Sequence, residues 1–187
     1  MRIISGRLKG RKINPPHLVA TRPTTDFAKT ALFNILNNNF DFEAISFLDL
    51  FAGTGNHSYE FASRGCTRIV SVDKDGVCID FMKRMKEEWN LEGMEPTRKD
   101  VLQFIDNCRE KFDIIFAGPP YAMEEINELP DRIFNHNLVK DDGWFILETS
   151  PAHKFDSHPY LFRVKNYGQT HFHFFSLQAE QLRDSRK

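Results

Sequence analysis

Apolar and polar positions change period many times along this 187-residue chain, and each change predicts an element boundary. Phe47-Leu48-Asp49-Leu50-Phe51 is an apolar run of strand length. It is closed by the turn Ala52-Gly53-Thr54-Gly55, after which Tyr59, Phe61 and Ala62 continue at helical spacing. Upstream, Ala28, Ala31, Leu32, Ile35 and Leu36 predict a helix capped among Thr24, Thr25 and Asp26 and ended by Asn37-Asn38-Asn39. Downstream, Arg68-Ile69-Val70-Ser71-Val72-Asp73 reads as a strand ending in an acid, and Asp75 is placed to cap a helix reaching about Trp89.

The alternation continues. Glu95-Pro96-Thr97-Arg98 is a short strand, and Lys99-Asp100-Val101-Leu102 turns into a helix with Phe104 and Ile105 on its apolar side. Lys111 to Ala117 is a buried-looking strand that ends in Gly118-Pro119-Pro120-Tyr121. A helix from Glu124 to Phe134 is interrupted at Pro130, and Asp141-Asp142-Gly143 turns into the strand Trp144-Phe145-Ile146-Leu147-Glu148. Leu161 to Tyr167 and Thr170 to Leu177, separated by Gly168-Gln169, predict an antiparallel hairpin. Strands alternating with helices in this way predict an α/β fold.

With 41% hydrophobic residues, the length suits one domain over residues 1–177, followed by a polar tail over residues 178–187 with no functional signal. A net charge of −1 excludes a globally basic nucleic-acid binder, yet the charge is unevenly spread. Arg2, Arg7, Lys9, Arg11 and Lys12 fall in a predicted hairpin over about residues 1–14, joined by Arg22 and Lys29 and opposed up to Thr30 by Asp26 alone. Such a cluster suits phosphate contacts, the alternative being an ordinary solvated basic end. No apolar run reaches membrane-spanning length and no signal-peptide core follows Met1, which predicts a soluble, cytoplasmic protein. Cys66, Cys78 and Cys108 are widely spaced, and His171 and His173 lack a nearby third ligand, so no disulfide framework and no metal are expected.

Three stretches carry candidate chemistry. Gly53 and Gly55 permit a sharp turn and close approach to a ligand, although a tight strand-to-helix turn also needs them. Ser58 stands at a dinucleotide fingerprint's third glycine, and the preceding Asp49 suits a cationic ligand end such as the amino group of S-adenosylmethionine. Asp73, at a strand tip, is placed to accept from both ribose hydroxyls unless it and Asp75 merely face solvent. Asp100 can accept from an adenine amino group while the Val101 amide donates to the ring, a role compatible with helix capping. Gly118-Pro119-Pro120-Tyr121 offers carbonyl acceptors for an amine and a ring to stack a base, against the alternative of a structural turn.

In this order the motifs resemble a class I S-adenosylmethionine-dependent methyltransferase. The runs Arg2-Ile-Ile-Ser-Gly-Arg-Leu-Lys-Gly-Arg11, Arg22-Pro-Thr-Thr-Asp26, Leu32-Phe33-Asn34 and Leu48-Asp-Leu-Phe-Ala-Gly-Thr-Gly55 are similar to those of the bacterial RsmD family. That family methylates a guanine N2 in 16S rRNA of the small ribosomal subunit. The resemblance implies a Rossmann-like, seven-stranded, mostly parallel sheet with helices on both faces and an antiparallel last strand. It implies that Asp49, Phe51, Ala52, Gly53 and Gly55 hold the methionine end of S-adenosylmethionine, Asp73 the ribose, and Asp100 with Val101 the adenine.

By the same resemblance, Gly118, Pro119, Pro120 and Tyr121 form the catalytic motif, and Arg2, Arg7, Lys9, Arg11, Lys12 and Arg22 meet RNA. The partner is the small subunit or a late assembly intermediate, the protein a monomer with neither membrane nor metal. One position departs from the family: Gly118 replaces the usual Asp or Asn, whose side chain accepts from the target amine. A non-catalytic RNA-binding assembly factor is therefore the alternative reading. N6-adenine methylation of DNA shares the Pro-Pro-Tyr chemistry but lacks room here for a target-recognition segment.

Overall fold

The computed structural model describes residues 1–16 and 24–184, so the expectation for Arg22 lies outside the described residues. The fold is a seven-stranded, mostly parallel sheet in the order β3-β2-β1-β4-β5-β7-β6. The chain forms two compact units, Met1–Val101 and Leu102–Lys187.

In the first unit the helix α1 (Asp26–Asn37) begins where the sequence places it. Thr25 is extended and its side chain accepts from the Ala28 amide, which satisfies one of the helix's free N–H groups. Ala28, Leu32, Phe33 and Leu36 bury one stripe. The strand β1 (Ser46–Leu50) is buried throughout, as suits a strand with parallel neighbours. It pairs in parallel with β2 (Arg68–Asp73), which pairs in parallel with β3 (Met94–Arg98). Pro96 is tolerated because β3 is an edge strand. The helices α2 (Asn56–Ser63), α3 (Gly76–Glu88) and α4 (Val101–Asn107) follow the three strands in turn.

The N-terminal segment closes through one bridge, Arg2 with Lys12, and buries Ile3, Leu8 and Ile13. Its backbone is fastened to α2. The Ile4 amide donates to Glu60 Oε2 (2.8 Å) and the Ser5 amide to Glu60 Oε1 (3.0 Å). Arg7 N donates to the Ser63 carbonyl (2.8 Å), and Leu8 N to Ser63 Oγ (2.9 Å). Gly6 is required at this approach: its φ is +78°, and a Cβ there would lie 1.9 Å from the Ser63 oxygen. Glu60 is fully buried and pairs with the equally buried Lys29 (3.1 Å) and with Arg64 (2.9 Å).

In the second unit β4 (Phe112–Ala117) pairs in parallel with β5 (Val139–Thr149). β7 (Thr170–Phe175) is antiparallel both to β5 and to β6 (Leu161–Tyr167). Phe145, Phe172, Phe174 and Phe175 are fully buried. Two expectations are corrected here. Pro130 does not interrupt a helix: a 3-10 turn spans Glu124–Glu128, and α5 (Leu129–Asn135) carries Pro130 in its first turn, where a missing N–H costs no hydrogen bond. Asp141-Asp142-Gly143 is part of β5 rather than a turn before it, accommodated by a register shift between Phe112 and Ile114. Residues 178–184 include a short polar helix, α6 (Ala179–Asp184), with Arg183 donating to the carbonyls of Pro159 and Leu161.

The Lys29–Glu60 pair sets a stability prediction. Removing one partner of a buried ion pair leaves an uncompensated charge, so Lys29→Met is expected to cost roughly 3–5 kcal/mol in denaturant unfolding. A cost under about 1 kcal/mol, the range of exposed pairs, would contradict the burial described.

Candidate functional site

The glycine turn leaves the carboxyl end of β1 with strained backbone. Phe51 has φ +59°, a left-handed value uncommon for a bulky residue, and Gly53 has φ +54°. The Ala52 amide donates to the Val72 carbonyl (3.0 Å), and the Gly53 amide to Asp73 Oδ2 (2.7 Å). The acid at the tip of β2 therefore holds the turn at the tip of β1. Gly55 has a reason the sequence did not suggest. Its φ is +86°, and a Cβ there would meet Met82 Sδ at 2.9 Å and the Tyr59 ring at 3.0 Å, so packing within the protein demands glycine.

Asp73 is half-buried, and its Oδ1 accepts from the Asp75 amide (2.9 Å). Asp75 in turn caps α3, accepting from Val77 N (2.8 Å), as its spacing predicts. An ionised carboxylate has about four acceptor sites, so Asp73 keeps capacity for two ribose hydroxyls. Its carbonyl accepts from Lys99 N (3.0 Å), which fixes the chain leading from β3 to Asp100 and Val101. Asp100 is exposed and Val101 is buried at the start of α4. The strained turn and the candidate ribose and adenine residues thus share one end of three parallel strands, where open α/β sheets bind ligands. An acid with acceptor capacity beside a backbone turn fits the nucleoside part of S-adenosylmethionine.

Asp49 is 1% exposed, and its Oδ2 accepts from both the hydroxyl (2.6 Å) and the amide (3.2 Å) of Ser58. Ser58 Oγ also meets Ser71 Oγ at 2.7 Å. Asp49 therefore ties β1 to the first turn of α2. Burial raises its pKa to about 7, the bonds from Ser58 opposing the rise. Beside Ser58 in the chain, His57 is buried, and burial lowers its pKa to about 3.

In the second unit β4 ends at Ala117, directly before Gly118-Pro119-Pro120-Tyr121. The Pro120 carbonyl accepts from Met123 N (2.9 Å), so that acceptor is already engaged. A Cβ on Gly118 would meet the Phe116 ring edge at 3.3 Å, so a side chain there needs that ring to give by a few tenths of an ångström. Tyr121 is half-buried.

The basic residues divide by role. Arg7 donates to the carbonyls of Trp89 (3.3 Å) and Asn90 (3.0 Å), capping the end of α3. Arg11 lies over the Trp89 ring, 5.5 Å from its centroid. Arg2 pairs with Asp26 (3.1 Å), both substantially exposed. Lys9 and Lys12 are exposed. Sequence reasoning missed Lys29, Asn56, Ser58 and Glu60 as parts of the site's support. Its one available signal was the placement of Glu60 among apolar residues in a short helix.

This sheet, with its strained turn and strand-tip acid, defines the class I S-adenosylmethionine-dependent methyltransferase fold. The family model described as conserved hypothetical protein 95 matches residues 1–176. The chain belongs to that family, the RsmD family. A relative named ribosomal RNA small subunit methyltransferase D, from Buchnera aphidicola subsp. Acyrthosiphon pisum (strain APS), is 30% identical over 78% of this chain and 76% of its own. The hypothetical protein TTHA0928 of Thermus thermophilus superimposes with TM-score 0.83, 26% identity, and coverage of 94% of this chain and 99% of its own. The 16S rRNA N2 G1207 methyltransferase RsmC of T. thermophilus, solved with AdoMet and guanosine, matches with TM-score 0.69 and 20% identity over 94% of this chain and 49% of its own. Among the described residues, no cluster of three metal-ligating side chains occurs and no helix is long and apolar enough to cross a membrane.

The buried acid gives a pH prediction. In the fold Asp49 stays protonated up to about pH 7, whereas an unfolded aspartic acid ionises near about 3.9. The native state therefore holds the extra proton between these values, and the contribution of this group to stability falls as pH rises through that window. Asp49→Asn removes the ionisation. The melting temperature of the variant relative to the parent is expected to climb from about pH 4 to about pH 7 and then level off. A difference that stays flat across the window would contradict the buried, protonated acid.

Proposed function

We propose that this chain is an rRNA methyltransferase that uses S-adenosylmethionine to methylate the exocyclic N2 of a guanine in 16S rRNA, acting as a monomer on the small subunit or a late assembly intermediate in the cytoplasm. The observation that carries this reading is the 2.7 Å bond from the Gly53 amide to Asp73, which joins turn and ribose acceptor at one sheet end in a chain of the RsmD family. The relative's printed name supports rRNA of the small subunit as substrate. The guanine-N2 specificity is our finer reading, favoured by the Pro-Pro-Tyr motif and the likeness to a guanine-N2 enzyme's fold.

Each group has a defined task. Asp73 accepts from the ribose hydroxyls, Asp100 from the adenine amino group, and the Val101 amide donates to the adenine ring. Phe51, Ala52 and Gly53 face the methionine end through their backbone. When bound, the cofactor supplies a methyl group made electrophilic by its sulfonium. Tyr121 stacks the target base, and the carbonyls of Gly118 and Pro119 accept from its exocyclic amine, turning the nitrogen lone pair toward the site. Holding the amine at attack distance accounts for much of the rate. Arg2, Lys9, Arg11 and Lys12, with Arg22, attract the RNA backbone.

The test separates binding from transfer. With labelled cofactor and small subunits lacking native methylation, the parent is expected to incorporate label. Asp73→Ala should weaken cofactor binding by about 10-fold or more, since it removes a charged acceptor. Tyr121→Ala should spare that binding and reduce transfer about 100-fold or more, as base positioning is lost. The reverse pattern would overturn these roles, and a parent that binds cofactor yet labels no particle would favour the non-catalytic assembly factor, the reading that Gly118 motivates.

A further inference from the structure

A carboxylate no motif assigns lies beside the Pro-Pro-Tyr segment. In the register of β4 with β5, Phe116 faces Ile146 and Ala117 faces Leu147. The next residues along the two strands are Gly118 and Glu148. Parallel neighbours in register present side chains to the same face of the sheet, so Glu148 shares the face onto which a side chain at Gly118 would project.

Glu148 is 8% exposed, unusual for a glutamate. Its partner across β7 is the fully buried Phe172, whose ring lies 6.3 Å from that of Phe116. Glu148 thus places a carboxyl group near the carboxyl end of β5, one residue past the last paired position of β4. The position of a Cβ on Gly118 has only Phe116 atoms within 4 Å, so Glu148 stands farther off.

We propose that Glu148 is a catalytic residue that accepts the proton leaving the target amine; this inference rests on the methyltransferase reading above. A guanine amine is a weak nucleophile because its lone pair is delocalised into the ring. A carboxylate accepting one N2–H concentrates electron density on nitrogen and stabilises the positive charge that grows there. The bond formed joins N2 to the methyl carbon, and the bond broken joins that carbon to the sulfonium sulfur. The displaced N2 proton passes to Glu148 and from there to water, leaving a neutral methylated amine and a neutral thioether.

The experiment compares the parent, Glu148→Gln, and Glu148→Gln combined with Gly118→Asp, each assayed for methyl transfer to small subunits and for cofactor binding. Glu148→Gln preserves shape but loses the basic oxygen. Its kcat is expected to fall about 100-fold or more, with cofactor affinity and the KM for particles within about threefold of the parent. Gly118→Asp, which supplies a carboxylate on the same face, should return about 10-fold or more of that loss. Gly118→Asp alone is assayed beside it: a purely structural role for Glu148 predicts the same gain in both backgrounds, whereas the inference predicts a gain at least about threefold larger in the Glu148→Gln background. The inference is overturned if Glu148→Gln keeps kcat within about threefold, or if its loss is not recovered in the double variant. A parent that transfers no methyl defeats the functional reading itself, whereas an active parent with an equally active Glu148→Gln defeats this inference alone.

Discussion

The buried carboxylate of Glu60 is the constraint behind the first unit. It accepts from the amides of Ile4 and Ser5, from Lys29 and from Arg64, so one side chain gathers the N-terminal segment, α1 and α2. Lys29 extends the network to the Arg2 carbonyl (3.1 Å) and Asn56 Oδ1 (2.9 Å). Asn56 is the first residue after the glycine turn. A buried acid with this many donors is compensated, whereas the same acid without Lys29 is not. The network thereby gives the basic segment, whose charges alone specify no position, a fixed seat on the helix that follows the turn.

A second buried acid works at shorter range. Asp49 secures Ser58 after the turn while Asp73 secures Gly53 within it, so the strained backbone of Phe51 is held by bonds on both of its neighbouring segments. Strain of this kind persists only where the surroundings over-determine it. The two acids differ in solvent access, and that difference separates their tasks. Asp73 keeps acceptor capacity and partial exposure, which suits a ligand, whereas Asp49 is enclosed and its affinity for a proton is raised toward neutrality.

Much of the fold was legible because parallel strands and their helices write different periods into the chain. Thr25, Asp75 and the glycine turn fell where cap and turn chemistry places them. The errors share a cause: long-range packing that local pattern does not encode. Pro130 looks like a breaker until the 3-10 turn before it is known, and Asp141-Asp142-Gly143 looks like a loop until its pairing in β5 is seen. The structural setting of a candidate residue was legible where it depends on a strand tip, as for Asp73. It was not legible for Asp49, whose task depends on Ser58 reaching back across nine positions, or for Arg7, which caps a helix 82 positions away. Glu60 and Lys29 gave no motif at all, since a buried ion pair is recognised by its partners rather than by its neighbours in sequence.

The central claim is the identity of the methylated atom. Small subunits from a strain lacking the modification, incubated with the protein and labelled S-adenosylmethionine, digested to nucleosides and resolved by mass, give the most direct answer. The account predicts that the label resides in N2-methylguanosine. Label in N6-methyladenosine or in any other nucleoside would contradict it.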